Sequence, residues 1–384
     1  MTFHVMIVPT LNCPSNCKYC WGSDKKSKIM DIQVIREIDK WLDEFRDDHV
    51  HFTFHGGEPL LAGYDFYKEA LSILKNSKTH KEAGFSLQSN LWLLDEKLSK
   101  LFFEYNVAIS TSIDGPKEIN DYQRGKGYFD RTMKGYKIAI ENGVRVSFIS
   151  TFTSYSKDFK DEIYNFFLEN RYNFKLHAAL PSLRGNNADK WALTSQEHGE
   201  LLIGLLDSYL NDLDKIEIKD FDHICKSSFI RHGTLCTFAD CMGDTLAIGW
   251  NGNIYPCYRF VGMDEYIMGN VYNHPSMEGL MKSEAWNELM EFKDHADESC
   301  RECDYIKFCR GGCPYNGIVS SKYRGKINSS ISVDPQCEAY EMIFKEVSDR
   351  ANKEFLNSSL GMFPGKKQGS NKKFTIMDLM LKRL

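Results

Sequence analysis

The sequence is organised around Cys13-Pro14-Ser15-Asn16-Cys17-Lys18-Tyr19-Cys20, which follows a short apolar segment at residues 3–8. The spacing C-x3-C-x2-C lets three thiolates reach one iron–sulfur cube, whose four irons are normally each ligated by cysteine. Since the run supplies three thiolates, it predicts a cube with one iron open to another ligand. A zinc site is the alternative, but zinc needs a fourth Cys or His nearby, and none follows Cys20 for many residues.

Tyr19 gives this run an aromatic residue immediately before its third cysteine. The pattern C-x3-C-x-aromatic-C behind a first strand resembles the signature of radical S-adenosylmethionine (SAM) enzymes. The resemblance implies that the amine and carboxylate of SAM bind the open iron. It also implies that an electron from the cluster cleaves SAM to methionine and a 5′-deoxyadenosyl radical.

Composition limits the class of protein. The 384 residues suffice for two or three domains, and no apolar run is long enough to span a bilayer. A net charge of −5 with interspersed charges argues against a dedicated nucleic-acid binder. Twelve cysteines without an export signal indicate metal binding in a reducing cytosol. We therefore expect a cytoplasmic protein with no membrane or nucleic-acid partner.

The first half of the chain alternates between strand and helix patterns. Strands are predicted at 3–8, 50–54, 84–88, 107–113, 144–152 and 174–178, and helices at 31–45, 64–74, 95–105, 128–141 and 158–169. This alternation implies parallel strands joined by right-handed crossovers, in an open doubly wound sheet or a barrel. No G-x-G-x-x-G follows the first strand, which disfavours a dinucleotide fold. We predict an α/β fold with a partial (β/α)6, TIM-like barrel, which the resemblance also implies.

Polar groups follow several of these strands. Because ligands bind at the carboxyl ends of parallel strands, we expect the cysteine loop, Gly56-Gly57-Glu58, Gln88-Ser89-Asn90 and Ser112-Ile113-Asp114-Gly115 around one opening. Gly-Gly by itself is a weak turn signal. With Glu58 and Pro59 it is similar to the family's GGEP motif, whose glycine backbone contacts the SAM amine.

The resemblance also implies that Ser112 reaches the SAM ribose. Gln88 and Asn90 are candidates to hydrogen-bond SAM or substrate, although Asn90 alone is more typical of a turn. The guanidinium of Arg124 suits the SAM carboxylate, and a plain surface arginine is the alternative. The expected SAM-binding set is Tyr19, Gly56, Gly57, Glu58, Gln88, Asn90, Ser112 and Arg124.

The β/α pattern stops after a predicted helix at 195–213, and the other nine cysteines lie beyond it. Asn251-Gly252 between two apolar segments predicts a hairpin there. The run Cys300-x2-Cys303-x5-Cys309-x3-Cys313, with three cysteines before it and one after, resembles the SPASM extension of radical SAM peptide and protein maturases. The resemblance implies two auxiliary [4Fe–4S] clusters, one on Cys236, Cys241, Cys257 and Cys313 and one on Cys300, Cys303, Cys309 and Cys337. Two zinc ribbons are the alternative.

The expected domains are a radical SAM partial barrel with a bridging helix (1–215), a SPASM domain (216–345), and a C-terminal helix and basic tail (346–384). Cys225 has no place in the cluster pattern and is predicted to be a buried thiol. In the tail, Lys366, Lys367, Lys372 and Lys373 are expected to form a solvated linker. A docking helix is expected over 374–384.

The two resemblances together imply a radical SAM enzyme that modifies a ribosomally made peptide by a thioether, another crosslink or an oxidation. It would use SAM and three [4Fe–4S] clusters. The alternative is an anaerobic sulfatase-maturing enzyme that forms formylglycine. Those enzymes carry an Asp base after the cysteine that corresponds to Cys257, whereas this chain has Tyr258, a candidate active-site residue. A non-enzymatic iron–sulfur electron carrier and a zinc-stabilised binding module are weaker alternatives.

Three partners are expected from this reading. They are the peptide substrate, an electron donor such as flavodoxin or ferredoxin, and a separate leader-peptide-binding protein. The last is expected because the chain begins almost on its first strand, without the N-terminal recognition domain that many peptide maturases carry. The barrel or the SPASM surface are the other places for leader binding.

Overall fold

The computed structural model describes residues 3–43, 49–78, 82–183, 187–239, 241–323, 333–359 and 375–382. By its internal contacts the chain divides into two compact units, whose segments alternate along the sequence. The first unit comprises Met1–Ile113, Asn120–Phe148 and Cys241–Glu291, and the second comprises Asp114–Ile119, Ile149–Asp240 and Phe292–Leu384. The domain ranges predicted from the sequence follow chain order and stay a prediction.

The described ranges form strands and helices in alternation, as the sequence pattern predicts. The strands are β1 (Phe3–Thr10), β2 (His49–Gly56), β3 (Glu82–Gln88), β4 (Ala108–Ser112), β5 (Val146–Phe152), β6 (Phe174–Ala178), β7 (Thr245–Ile248), β8 (Asn253–Tyr255) and β9 (Gly269–Asn270). The helices are α1 (Ile32–Leu42), α2 (Gly63–Lys75), α3 (Glu96–Glu104), α4 (Lys117–Arg124), α5 (Tyr128–Glu141), α6 (Lys160–Glu169), α7 (Ser195–Asn211), α8 (Lys219–Ile230), α9 (Met277–Leu280), α10 (Glu284–Ser299), α11 (Ile306–Cys309), α12 (Pro314–Tyr323), α13 (Cys337–Ser359) and α14 (Ile376–Lys382).

The first unit is built on a sheet with the strand order β5-β4-β3-β2-β1-β7-β8-β9. β1 pairs in parallel with β2 and with β7, and β2 and β3 continue the parallel ladder to β4. The predicted α/β class with a parallel sheet is therefore confirmed. The predicted hairpin is β7–β8, which is antiparallel, and β9 extends it. That β7 joins the sheet beside β1 was not predicted.

β2 shows how the sequence builds this sheet. Its residues read His-Val-His-Phe-Thr-Phe-His, and in a strand such period-two alternation sends apolar and polar side chains to opposite faces. Val50, Phe52 and Phe54 are buried in the core. On the polar face, Thr53 is hydrogen-bonded to Ser86 of β3, with 2.7 Å between the hydroxyl oxygens. The site described below lies at the C-terminal end of this strand.

The rest of β5, from Ile149 onward, belongs to the second unit and pairs there with β6, and Ala179 N–H donates to the Phe152 carbonyl (2.8 Å). α7 packs along α13, and α14 packs on α8 and α13. The α14 N-terminus is fixed by Glu354, whose carboxylate accepts from the N–H groups of Ile376 (3.1 Å) and Met377 (2.9 Å). The structure thus shows a docked C-terminal helix. The four tail lysines, Phe374 and Leu384 lie outside the described residues.

Cys225 on α8 is completely buried, as predicted. Burial also raises the pKa of its thiol well above the usual range. In the described part of the chain, no helix is both long and apolar enough to cross a membrane.

Candidate iron–sulfur and cofactor site

The cysteine loop follows β1 directly, and polar groups surround its sulfur atoms. The Ser15 hydroxyl lies 3.1 Å from Sγ of Cys13 and 3.6 Å from Sγ of Cys17. The Asn90 side-chain amide donates to Sγ of Cys13 across 3.8 Å. Lys25 Nζ donates to the carbonyls of Cys13 and Ser15, which holds the curl of the loop. Cys13 is buried, whereas Cys17 and Cys20 are half-buried.

These surroundings suit thiols that bind metal. Burial raises the pKa of the Cys13 thiol, and its hydrogen bond with Ser15 opposes part of that rise. A coordinated metal favours the thiolate by its positive charge, so metal binding would overcome the effect of burial. The donor set of this loop therefore fits an iron–sulfur cluster with three protein ligands.

The Gly56-Gly57 turn at the end of β2 lies against the cysteine loop. Gly57 N–H donates to the Thr10 carbonyl (3.0 Å), and Glu58 N–H donates to the Asn12 carbonyl (2.8 Å). A Cβ on Gly57 would stand 2.3 Å from the Leu11 carbonyl oxygen, closer than real side chains allow. Only glycine therefore permits this approach of the two backbones.

Glu58 links the ends of β2 and β3. It is completely buried, and its carboxylate accepts from Ser89 Oγ (2.7 Å), Asn90 N–H (2.8 Å) and Leu60 N–H (3.0 Å). Burial raises the pKa of Glu58 to about 7, although the three hydrogen bonds favour the ionised form. The structure shows this carboxylate bracing the turn, and its predicted contact with SAM stays a prediction.

Gln88 and Ser112 end neighbouring strands and meet, since Gln88 Nε2 donates to Ser112 Oγ (3.1 Å). The side-chain oxygen of Asn90 accepts from Trp92 N–H (2.9 Å), as in a turn, and its amide reaches Cys13. Its predicted contact with SAM or substrate stays a prediction.

Arg124 is buried, so the surface-arginine reading is wrong. Its guanidinium carbon lies 5.3 Å from the Tyr19 ring and 5.1 Å from the Tyr128 ring. At the end of α4, the Gln123 carbonyl accepts from Lys18 N–H (2.9 Å), which fixes the cysteine loop against this helix. Tyr19 and Arg124 are thus neighbours, as a shared SAM site would require.

Tyr258 packs between the two loops that flank the predicted SAM site. Its ring centroid lies 4.2 Å from that of His55 and 5.6 Å from that of Trp21. His55 directly precedes Gly56, and Trp21 directly follows Cys20. The Arg259 guanidinium in turn lies 5.2 Å from the Trp21 ring centroid. Tyr258 therefore connects the Cys257 loop to both the cysteine loop and the Gly56-Gly57 turn.

His55 was missed by sequence reasoning, although its place at the end of the alternating β2 pattern, just before Gly56, is a usable signal. Its Nδ1 accepts from Gly56 N–H (2.7 Å), so the ring proton is on Nε2. Burial lowers the pKa of His55 to about 4. The ring is therefore neutral near pH 7 and offers a donor rather than a base.

The second predicted cysteine set converges in the second unit. One cavity of about 400 Å³, open mouth included, is lined by the thiols of Cys300, Cys303, Cys309 and Cys337. Tyr305 and Tyr340 complete its lining. Burial raises the pKa values of Cys300, Cys309 and Cys337, the last to about 11. Four cysteines around one cavity are the donor set of a [4Fe–4S] cube. Across the described ranges, no three His, Cys, Asp or Glu side chains are grouped to hold a single metal ion.

The other auxiliary set is divided between the units. Cys241 and Cys257 belong to the first unit, on either side of the β7–β8 hairpin, and Cys236 and Cys313 belong to the second. Cys313 N–H donates to the buried Asp334 carboxylate (2.8 Å), a contact that sequence reasoning missed. The role of these four cysteines as one ligand set stays a prediction.

Two family models match this chain. Residues 7–166 match the model of the radical SAM superfamily, and residues 236–304 match SPASM, an iron–sulfur cluster-binding domain. An uncharacterized protein of Methanothermobacter thermautotrophicus is 56% identical over 233 residues, which cover 61% of this chain and 89% of that protein. The serine-type anaerobic sulfatase-maturating enzyme of Bacteroides thetaiotaomicron is 26% identical over 92% of both chains.

Two solved structures share the fold. Native anSMEcpe with bound AdoMet and the Kp18Cys peptide has a TM-score of 0.82 at 23% identity, covering 93% of this chain and all of that chain. Streptococcus suis SuiB bound to its precursor peptide SuiA has a TM-score of 0.63 at 18% identity, covering 87% of this chain and 75% of that chain.

A parallel α/β sheet with a three-cysteine loop at its strand ends defines an enzyme that works with an iron–sulfur cluster. The chain belongs to the radical SAM superfamily and carries a SPASM domain. It is an enzyme whose cofactors are [4Fe–4S] clusters and SAM.

Proposed function

We propose that this enzyme modifies a peptide by a radical reaction, forming a thioether or another crosslink, or an oxidised residue. The observation that carries the proposal is the position of Tyr258. Its ring packs against those of His55 and Trp21, so the loop after Cys257 borders the predicted SAM site. A substrate segment held beside Tyr258 would lie next to that cofactor. The solved relatives that bind peptides support a peptide as substrate.

Cys13, Cys17 and Cys20 would hold the first cluster, and Tyr19, Gly56, Gly57, Gln88, Asn90, Ser112 and Arg124 would contact SAM. When bound, these groups together supply a 5′-deoxyadenosyl radical. Arg124 offers a fixed guanidinium beside the cysteine loop, which suits the carboxylate of SAM. Glu58 keeps the ends of β2 and β3 together, so the backbone of the Gly56-Gly57 turn is presented in one conformation.

We further propose three [4Fe–4S] clusters in total, the auxiliary two on the cysteine sets already described. The shared cavity of Cys300, Cys303, Cys309 and Cys337 supports the second of these. The expected setting is the reducing cytosol, with an external electron donor. A separate protein that recognises a leader peptide completes the expected partners.

Sulfatase maturation is the second candidate function, because full-length named relatives are sulfatase-maturating enzymes. Tyr258 argues against it. The resemblance places a carboxylate base at this position, whereas a phenol with an ordinary pKa of about 10 is a poor base near neutrality. We therefore expect no formylglycine from a sulfatase-type Cys or Ser peptide.

The test is incubation of the reduced, reconstituted enzyme and SAM with a sulfatase-motif peptide, followed by mass spectrometry. We expect 5′-deoxyadenosine without formylglycine. Formylglycine over multiple turnovers would overturn the peptide-crosslinking proposal and establish the second candidate. Peptides encoded in short reading frames beside the gene are the substrates to try next. With a true substrate, Tyr258→Phe separates the contribution of the ring from that of the hydroxyl.

A further inference from the structure

A short segment folds back over the cysteine loop. Asp24 N–H donates to the Leu11 carbonyl and Met30 N–H to the Pro9 carbonyl, both at 2.8 Å. Between them, Ser27 Oγ accepts from Leu11 N–H (2.9 Å). Residues 24–30 are therefore tied along the end of β1, and Lys25 of this segment contacts the carbonyls of Cys13 and Ser15 in the cysteine loop.

The outer face of this segment is basic. Lys25, Lys26 and Lys28 are exposed, and so is Lys18 within the cysteine loop. Residues 13–31 contain these four lysines and two acidic residues, Asp24 and Asp31, whereas the whole chain carries a net charge of −5. The positive charge of this face is thus local, and two of its lysines adjoin the proposed cluster ligands: Lys18 lies within the cysteine loop and Lys25 contacts its backbone.

The same face carries an apolar group. Ile29 is 51% exposed, although the next residue, Met30, is buried. A charged surface that also carries an exposed aliphatic side chain can steer a partner by charge and hold it by apolar contact. We call Lys18, Lys25, Lys26, Lys28 and Ile29 the basic strap.

We infer that the basic strap docks a small acidic protein that carries one low-potential electron and delivers it to the cluster proposed on Cys13, Cys17 and Cys20. The inference rests on the proposed function. In this step the carrier is oxidised by one electron and the cluster is reduced by one, and no bond or proton is transferred. Transient redox complexes use small interfaces, below about 1,200 Å², which a patch of this extent can supply. A nucleic acid or an anionic membrane is an extended anionic surface that would also meet the acidic remainder of the chain, whereas a small protein needs to contact only the basic strap.

The test measures docking directly. The oxidised form of an acidic two-cluster ferredoxin is titrated into the anaerobically reconstituted protein, and affinity is followed by calorimetry at low and high salt. The variant Lys26→Glu/Lys28→Glu reverses two charges of the strap. Lys68→Glu/Lys75→Glu, on exposed positions of α2, changes the net charge by the same amount. Lys25 is left unchanged because it holds the cysteine loop.

The strap variant should bind at least about tenfold more weakly at low salt, where steering is strongest, and the α2 variant should match the wild type. The difference should fade near 0.5 M salt, where the screening length is only about 4 Å. Ile29→Ser should raise the dissociation rate without changing the salt dependence. Equal affinities of the two lysine variants would overturn the inference, and so would tighter wild-type binding to a DNA duplex or to anionic vesicles than to the ferredoxin.

A second readout separates this inference from the proposed function. Bleaching of the cluster absorbance by reduced ferredoxin should slow in the strap variant, whereas dithionite should support SAM cleavage equally in all variants. Absence of SAM cleavage with dithionite in the wild type would refute the proposed function. Normal cleavage with dithionite, together with unimpaired ferredoxin reduction of the strap variant, would refute the docking surface alone.

Discussion

Gly57→Ala should separate the cysteine loop from the turn that faces it. The added Cβ would lie 2.3 Å from the Leu11 carbonyl oxygen and 2.4 Å from that of Asn12, both backbone atoms. Ordinary contact begins at 3.4 Å, so the two segments must move apart by about 1 Å. Overpacking of this kind costs about 1–3 kcal/mol. A displacement of 1 Å near reacting groups lowers rates by about 10²-fold, and we expect a loss of SAM cleavage of that size.

The assay is the rate of 5′-deoxyadenosine formation under dithionite, with iron content measured on the same sample. Gly22→Ala is the matched control, because Gly22 lies just after Cys20 in the cysteine segment and no atom would come within 4 Å of its new Cβ. We expect Gly22→Ala to behave as the wild type. If Gly57→Ala cleaves SAM within about twofold of Gly22→Ala, the argument that this backbone approach positions the cofactor is refuted.

Three further outcomes follow from the site and the core. Anaerobically reconstituted protein should hold about twelve irons, in three cubes of four, and a count near four would refute the auxiliary clusters. Replacing Cys13, Cys17 and Cys20 together by alanine should remove about four irons and abolish SAM cleavage, and continued cleavage would contradict the ligand assignment. Burial lowers the pKa of His198 to about 4, so folding stability should be full above pH 6.5 and fall by about 3 kcal/mol towards pH 4. His198→Gln should flatten this fall in thermal melts, and an unchanged pH dependence would refute the assignment.

The parallel half of the fold could be predicted because its signals are local. The alternation in β2 identifies a strand with one buried face, and the structure places that strand at His49–Gly56 against a prediction of 50–54. The helix α4 was not predicted, because the contacts that fix it are distant in the sequence. Its sequence, Lys-Glu-Ile-Asn-Asp-Tyr-Gln-Arg, has one aliphatic residue, and its Gln123 carbonyl is held by the cysteine loop. Tertiary contact, rather than periodicity, determines such a helix.

The pairing of strands that lie far apart in the sequence could not be predicted either. The hairpin at β7–β8 is visible in Asn251-Gly252, but its place beside β1 depends on a partner some 240 residues earlier in the chain. The cysteines show the same division. Their spacing predicts cluster ligation, whereas the packing of His55 and Trp21 on Tyr258 appears only once the strand ends are brought together.

The packing of His55 and Trp21 on Tyr258 indicates that Tyr258 has a positioning role, in addition to lacking the carboxylate of the sulfatase-maturing enzymes. A base at this position takes a proton from the substrate, and it must then pass that proton to a neighbouring acceptor or to water. Instead, the neighbouring His55 is neutral, with Nδ1 already bonded to Gly56 N–H, and its ring centroid lies 4.2 Å from that of the Tyr258 phenol. The two rings therefore form an aromatic wall between the proposed SAM site and the Cys257 loop. A wall of this kind orients a substrate side chain and excludes water, which suits formation of a bond within a peptide better than removal of a proton from a sulfatase cysteine or serine.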